Sequence, residues 1–492
     1  MKKALVIGSG FAGLSAASYL AKAGYQVQLF EKNDGPGGRA RQWKEDGFTF
    51  DMGPSWYWMP EVFDRYFAAF GKKTSDYYTL TRLDPSYRVY WGEGYTDVPA
   101  NYEELRSLFE SIEPGSAAQL DKYMNEAAFK YEVGINKLVQ KPGRSLSEFL
   151  DWDIIKGVFR LDVFTSIQKH IQKHFKDTRL RQLMEFPVLF LGALPENTPA
   201  LYSLMNYADI KGGTWYPNGG MYAVVDAMYK LAVELGVEFH FNEPVEKILV
   251  KAGKATGVQT TRGEKTYEAD VVVSGADYQF TESVLLEEPY RTYSPAYWDK
   301  RVMAPSCLLY YVGLNKKLAN ARHHALFFDV PFESHAAEIY KNPSWPTDPL
   351  FYVSVNSVTD KQVAPEDMEN LVFLIPVASG LENDSEEVRE HYFQMIVKRM
   401  ERHLGESIAE SVIYKKTYSV TDFVNDYHSF RGNAYGLANT LMQTAVFKPA
   451  CKSKKVTNLF FTGQLTVPGP GVPPSLISGE VVAREVFKNI DR

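Results

Sequence analysis

The first forty residues constrain this chain more than any other stretch. They read Ala4-Leu5-Val6-Ile7, then Gly8-Ser9-Gly10-Phe11-Ala12-Gly13, an amphipathic run to Gly24, and Val27-Gln28-Leu29-Phe30-Glu31. The order is strand, tight turn, helix, strand. Gly8 allows the turn, Gly10 lets the backbone approach a pyrophosphate, and Gly13 lets the helix pack on the strand. The helix N-terminus then offers unpaired N–H groups and a partial positive charge to phosphates. Glu31 follows Gly13 by 18 positions and closes the next strand. A carboxylate there accepts both hydroxyls of an adenosine ribose and repels a 2′-phosphate. A chance glycine-rich turn would lack the strand before it, the helix after it and the acid beyond. Lys2 and Lys3 with the apolar run imitate a secretory signal, but the glycines interrupt the apolar stretch.

The chain has 492 residues, which suggests two or three domains. Hydrophobic residues make up 45% and charged residues 23%, so a packed core is expected rather than disorder. A net charge of -6 argues against nucleic acid as the main partner. Two cysteines, Cys307 and Cys451, are too few for a disulfide scaffold or a cysteine metal site and suit a reducing cytoplasm. No run reaches the roughly 18 apolar residues of a spanning helix, so a soluble or peripheral protein is expected.

Beyond Glu31 a second glycine cluster, Gly35-Pro36-Gly37-Gly38-Arg39, leads into Asp46-Gly47-Phe48-Thr49-Phe50-Asp51-Met52-Gly53-Pro54. Two adjacent glycines leave room for a bulky ligand, and a guanidinium forks onto phosphate oxygens. Ser55-Trp56-Tyr57-Trp58 reads either as a wall of the site or as loop packing. Tyr87–Trp91 and Tyr95–Val98, split by Gly92-Glu93-Gly94, predict a hairpin that opens a second sheet. From Tyr102 to about Tyr207 the pattern turns helical.

Within 149–204 bulky apolar residues (Phe149, Trp152, Ile154, Phe159, Phe164, Ile167, Ile171, Phe175) alternate with Lys169, His170, Lys173, His174 and Lys176. Phe186-Pro187-Val188-Leu189-Phe190-Leu191 follows. This reads either as a membrane-docking patch or as a helical cap with a solvated basic face. No carboxylate motif stands beside His170 and His174 or beside His323 and His324. Surface histidines and no metal site are therefore expected.

A glycine turn, Gly212-Gly213-Thr214-Trp215-Tyr216-Pro217-Asn218-Gly219-Gly220, precedes a helix from about Met221 to Leu235 and a strand at Val237–Phe241. Ala269–Asp277 reads as a buried parallel strand. Strands at Leu308–Tyr311, Phe351–Val355 and Leu371–Pro376, with a helix over Glu386–His403, belong to a second domain. Asn458–Gly463 is a strand. A Gly-Pro loop follows, and a helix from about Leu476, again offering backbone N–H groups to a ligand.

Together these segments resemble the bacterial phytoene desaturases, a carotenoid desaturase family within the flavin amine oxidase superfamily, most closely the flavobacterial type. The shared features are the N-terminal fingerprint, Gly37-Gly38-Arg39, Asp51-x-Gly53-Pro54, the Gly219-Gly220 turn and the Thr462-Gly463 to Ser478-Gly479 segment, in that order. The family's common C-terminal motif carries a histidine where this chain has Val467, so no acid or base role transfers there.

The resemblance implies FAD as cofactor and an α/β fold: a Rossmann-like, GR2-type FAD-binding domain interwoven with a mixed-sheet substrate domain and a helical, membrane-facing cap. It places the FAD-binding domain at 1–75, 208–290 and 426–492, the substrate sheet at 76–101 and 291–425, and the cap at 102–207. Flavin contact is implied for Gly8, Gly10, Gly13, Glu31 and Lys32 in the fingerprint. It extends to Gly38, Arg39, Gly53, Pro54 and Ser55, to Val245 at the adenine, and to Gly463, Gly471, Val472 and Pro473.

The implied activity is desaturation of a phytoene-type C40 carotene by hydride transfer to flavin. Alternatives are 3,4-desaturation of a hydroxylated or gamma-carotene-type substrate, an amine or protoporphyrinogen oxidase, and a flavin-free prenyl-binding protein. Asp51, Tyr216 and Asp277 are candidates for proton transfer, with structural hydrogen bonding as the alternative for each. Expected partners are the carotenoid, the inner face of the cell membrane, and a quinone or oxygen as electron acceptor. No second dinucleotide fingerprint occurs, which argues against bound NAD(P).

Overall fold

The computed structural model describes residues 1–145, 148, 161–189, 192–261 and 265–491. Its first layer is a five-stranded sheet in the order Leu459–Phe461, Val271–Ser274, Lys3–Ile7, Gln26–Phe30, Glu238–His240. Every pairing in it is parallel. The strand Lys3–Ile7 is central, with Val6 opposite Leu29 on one side and Val273 on the other. Side chains alternate between the two faces of a strand. Ala4 and Val6 therefore join the core built by the helices Phe11–Lys22, Met221–Glu234 and Val472–Ile490. Leu5 and Ile7 join Ile248, Ala255 and Val258 of an antiparallel three-stranded sheet on the other face. Burial on both faces is why these strands read as continuous apolar runs.

The second layer is a seven-stranded sheet in the order Val412–Tyr418, Ser306–Leu314, Glu369–Val377, Phe351–Ser354, His324–Phe327, Tyr87–Tyr90, Tyr95–Val98. The contact between His324–Phe327 and Tyr87–Tyr90 is parallel and the others are antiparallel. The expected hairpin of Tyr87–Tyr90 and Tyr95–Val98 forms the edge. One face of Ser306–Leu314, with Leu308, Tyr310 and Val312, packs on Phe393, Ile396, Val397 and Met400 of the helix Glu386–Leu404. The other, with Cys307, Leu309 and Tyr311, packs on Phe48 and Phe50.

Helices Tyr102–Ile112, Ser116–Val133, Ile167–His174 and Thr178–Leu189 form the third region. Of the apolar-basic stretch, Phe149, Trp152, Ile154, Phe159, Phe190 and Leu191 lie outside the described residues. Ile167, Ile171 and Phe175 are fully buried, so this part of the apolar face is committed to the core, while Phe164 is 84% exposed. Among the described residues no helix is long and apolar enough to cross a membrane.

The C-terminal helix starts at Val472, four residues before the expected Leu476. Pro473 and Pro474, which suggested a loop, occupy its first turn. There the missing N–H breaks no helical hydrogen bond and the fixed φ already suits the helix.

Candidate functional site

A cavity of about 300 Å3 lies at the C-terminal ends of the parallel strands, where open α/β sheets bind ligands. Four consecutive strands of the sheet deliver residues to it. Gly8 and Gly10 follow Lys3–Ile7, Glu31 and Lys32 follow Gln26–Phe30, Asp277 follows Val271–Ser274, and Gly463 follows Leu459–Phe461. Gly38, Arg39, Gly53, Pro54 and Val245 also line it, as do Gly471 and Val472. The seven-stranded sheet adds Cys307, Leu309 and Leu374, so one cavity joins both layers. Tyr427, His428 and Tyr435 complete this wall. Nothing in the sequence singled out these last six. Alternation tells which residues share a face, but not which cavity that face meets.

Two helices start at the cavity, behind Gly10 and Gly471, and among the described residues no side chain caps either start. Helix N-termini left uncapped need another acceptor for their N–H groups, and an anion fits. The third helix of the layer, Met221–Glu234, starts away from the cavity and is capped. Asp51 accepts from the N–H groups of Met221 at 2.7 Å and Tyr222 at 3.1 Å. A Cβ on Gly10 would meet nothing within 4 Å, whereas one on Gly13 would come within 2.0 Å of the Gly8 carbonyl oxygen. Gly13 therefore serves packing, outside the lining, and Gly10 leaves open space beside the helix start.

Arg39 is held near this space. Its Nη2 donates to Ser429 Oγ at 2.8 Å, and its guanidinium stands 5.4 Å from the Tyr427 ring centre. Its buried Nε has no hydrogen-bond partner among the described residues. Burial pulls its pKa below the usual guanidinium value, opposed by the charge of Asp277. A buried cation with an unused donor beside two uncapped helix starts fits a pyrophosphate.

Glu31 is also buried. It accepts from Ser9 N and Oγ through one oxygen, and from Asn33 N and Nδ2 through the other. A ribose hydroxyl reaches it only where Ser9 Oγ or Asn33 Nδ2 gives way. Lys32 Nζ donates to the Asn425 carbonyl at 2.8 Å. Ser55 and Pro473 do not line the cavity. Ser55 Oγ accepts from the Tyr352 hydroxyl at 2.9 Å, and Pro473 sits inside the first helical turn.

Of the three proton-transfer candidates, Asp277 alone lines the cavity. Its carboxylate accepts from Phe280 N at 3.1 Å and Phe430 N at 3.2 Å. Burial pushes its pKa up, opposed mainly by the nearby Arg39 charge. Asp51 stands at the helix start described above, its pKa pushed up to about 6 by burial. The Tyr216 hydroxyl donates to Asp360 Oδ2 at 3.1 Å, and burial raises its pKa far above the usual phenol value. Hydrogen bonding within the fold thus accounts for Asp51 and Tyr216.

The aromatic run after Ser55 does not line this cavity. Tyr57 bridges to Trp215, and Trp56 stacks on His324 at 4.2 Å. The expectation of surface histidines is overturned: His170, His174, His323 and His324 are all buried. His324 lies in the seven-stranded sheet, its Nδ1 2.6 Å from the Tyr352 hydroxyl, and His323 Nδ1 lies 2.7 Å from Thr359 Oγ1. A hydroxyl inside the fold meets Nδ1 of each of these two rings where sequence spacing suggested solvent, while their buried Nε2 atoms find no partner among the described residues.

Comparison with known proteins agrees with this geometry. The family described as flavin containing amine oxidoreductase matches residues 11–487. A carotenoid 3,4-desaturase of Haloarcula japonica is 40% identical over 487 residues, covering 99% of this chain and 98% of that protein. A zeta-carotene-forming phytoene desaturase of Myxococcus xanthus is 33% identical over 495 residues, covering 99% and 94%. A solved oxidoreductase from Methanosarcina mazei superposes with a TM-score of 0.65 at 17% identity, covering 98% of this chain and 100% of that one, which is a likeness of fold. The chain belongs to the flavin-containing amine oxidoreductases, with FAD as cofactor, and within them to the carotenoid desaturases.

Proposed function

We propose that this protein is a carotenoid desaturase that introduces C=C bonds into an acyclic or partly cyclised C40 carotene of the phytoene type. The observation that carries this reading is the end-to-end similarity to two carotenoid desaturases, at 40% and 33% identity. When bound, FAD supplies the acceptor for the hydride that leaves an allylic carbon.

The chain's own residues hold and shield. The uncapped helix starts behind Gly10 and Gly471, with Arg39, hold the pyrophosphate charge. Glu31 holds Ser9 and Asn33 at the strand end and would meet the ribose where one of those side chains gives way. Leu309, Leu374 and Phe423 give the cavity an apolar wall that suits a polyene and keeps water out. Asp277 fixes the turn at Phe430, and with it Ser429, the partner of Arg39.

A second reading, terminal 3,4-desaturation of a hydroxylated or gamma-carotene-type substrate, is favoured by the higher identity to the Haloarcula protein. A lipid-soluble substrate supports work at the cytoplasmic face of the membrane as a peripheral protein. Electrons then pass to a membrane quinone or oxygen.

The test is to incubate FAD-loaded protein separately with phytoene, gamma-carotene and a 1-hydroxylated acyclic carotene in liposomes, and with polyamines. Products are separated by chromatography and read by absorption. A red-shifted product from a carotene supports desaturation, and the substrate that reacts chooses between the two readings. Peroxide release with amines alone would overturn both.

A further inference from the structure

A second cavity, of about 520 Å3, opens between the helices Ser116–Val133 and Ile167–His174. None of its lining residues belongs to the cavity at the parallel sheet. His170 and His174 lie one turn apart on the shorter helix, so both face the same way. Both rings are buried. Glu126 reaches them from the longer helix. Its Oε2 is 3.4 Å from His170 Nε2 and 3.9 Å from His174 Nε2. One ligand-type atom from each of the three residues lies within 4.8 Å of the other two.

An ordinary hydrogen-bond network fits poorly. Hydrogen bonds between His and Glu126 need shorter separations than 3.4 and 3.9 Å. Nδ1 of His174, a residue only 8% exposed, also finds no partner among the described residues. Two imidazoles facing one carboxylate oxygen form a metal-ligand set. With metal–ligand bonds of about 2.0–2.2 Å, tetrahedral ligands stand roughly 3.3–3.6 Å apart; Glu126 and His170 are already at 3.4 Å, and His174 closes in from 3.9 Å.

We propose that Glu126, His170 and His174 bind a divalent transition-metal ion of the zinc class, with water from the cavity completing the coordination. The N2O donor set suits zinc and its neighbours rather than calcium or magnesium. The Lys130 ammonium lies 3.5 Å from His170 Nε2, but Asp162 at 3.0 Å and the Ala200 carbonyl at 3.3 Å anchor it. Its charge weakens the site, so the ion exchanges with chelators. Bound metal joins two helices whose ligands are 44 residues apart in sequence, and so stabilises the helical region.

The test uses FAD-loaded protein stripped with EDTA, dialysed and titrated with zinc chloride. One equivalent of zinc is expected per chain, with a rise in Tm and an X-ray absorption spectrum showing scattering from two imidazoles. Glu126→Gln and His174→Gln each lose the equivalent and the Tm rise, and retained flavin absorbance reports that they fold. The proposal is overturned if the unaltered protein takes up no zinc, if its zinc spectrum lacks imidazole scattering, or if both variants bind as it does.

Discussion

Glu31 Oε2 accepts two hydrogen bonds from Ser9, one from its N–H at 2.9 Å and one from its hydroxyl at 2.7 Å. They tie the end of the second strand to the glycine turn after the first. Asn33 gives two more to Oε1, at 3.0 and 2.8 Å, so the carboxylate's four lone-pair sites are in use. Glu31→Gln replaces two acceptor sites with donors that face donors. Each lost charge-assisted bond is worth about 1.5–3 kcal/mol to the fold, so apoprotein Tm is expected to fall, and FAD affinity falls with it because the glycine turn is no longer held. Titrating apoprotein with FAD and following flavin fluorescence checks this. Unchanged affinity would remove Glu31 from the cofactor site.

Gly10 and Gly13 are expected to respond differently to the same substitution. Gly10→Ala places its methyl in open space, so apoprotein Tm should hold while FAD affinity falls. Gly13→Ala drives a methyl to 2.0 Å from the Gly8 carbonyl oxygen. It should destabilise the apoprotein by about 1–3 kcal/mol, as overpacking does. Thermal melts and FAD titrations of both variants separate the effects. Equal Tm losses would contradict the assignment of one glycine to the ligand and the other to packing.

Asp51 gives a pH prediction. Its folded pKa of about 6 exceeds the roughly 3.9 of an unfolded aspartate. The folded state therefore binds more protons between these values, and stability falls as pH rises from about 4 to 6. Asn at this position keeps one of the two acceptor oxygens at the helix start and does not titrate. Asp51→Asn should flatten the Tm–pH slope in this window, by an amount on the order of a few kcal/mol at most. Asp209 is also raised to about 6, so the difference between the two proteins is the quantity to read. An unchanged slope would show that Asp51 does not carry it.

Local signals in the sequence reached far into the cofactor half. Gly8, Gly10, Gly13 and Glu31 announce themselves because a turn, a close approach, a packing contact and a strand end each demand a particular residue at a set spacing. The hairpin at Tyr87–Val98 was legible for the same reason. What depends on distant pairing was not. The parallel contact of Ala325 with Arg88 joins residues that no local pattern connects. Nor does the sequence tell that Leu309 and Leu374, rather than their neighbours, meet the cavity. The four histidines read as surface residues because their burial depends on elements far along the chain. Glu126, which faces His170 and His174, lies on another helix. Prolines misled at Val472, since Pro marks a loop and a first helical turn alike.

In the reaction proposed for this protein, a carotene is desaturated at the expense of the protein's own flavin. The most direct measurement mixes FAD-loaded protein with phytoene in liposomes without oxygen and follows absorption over time. The visible flavin band is expected to bleach, matched by new polyene bands at longer wavelength, one double bond for each flavin reduced. Flavin that stays oxidised with phytoene, with pre-desaturated carotenes and with hydroxylated carotenes would contradict it.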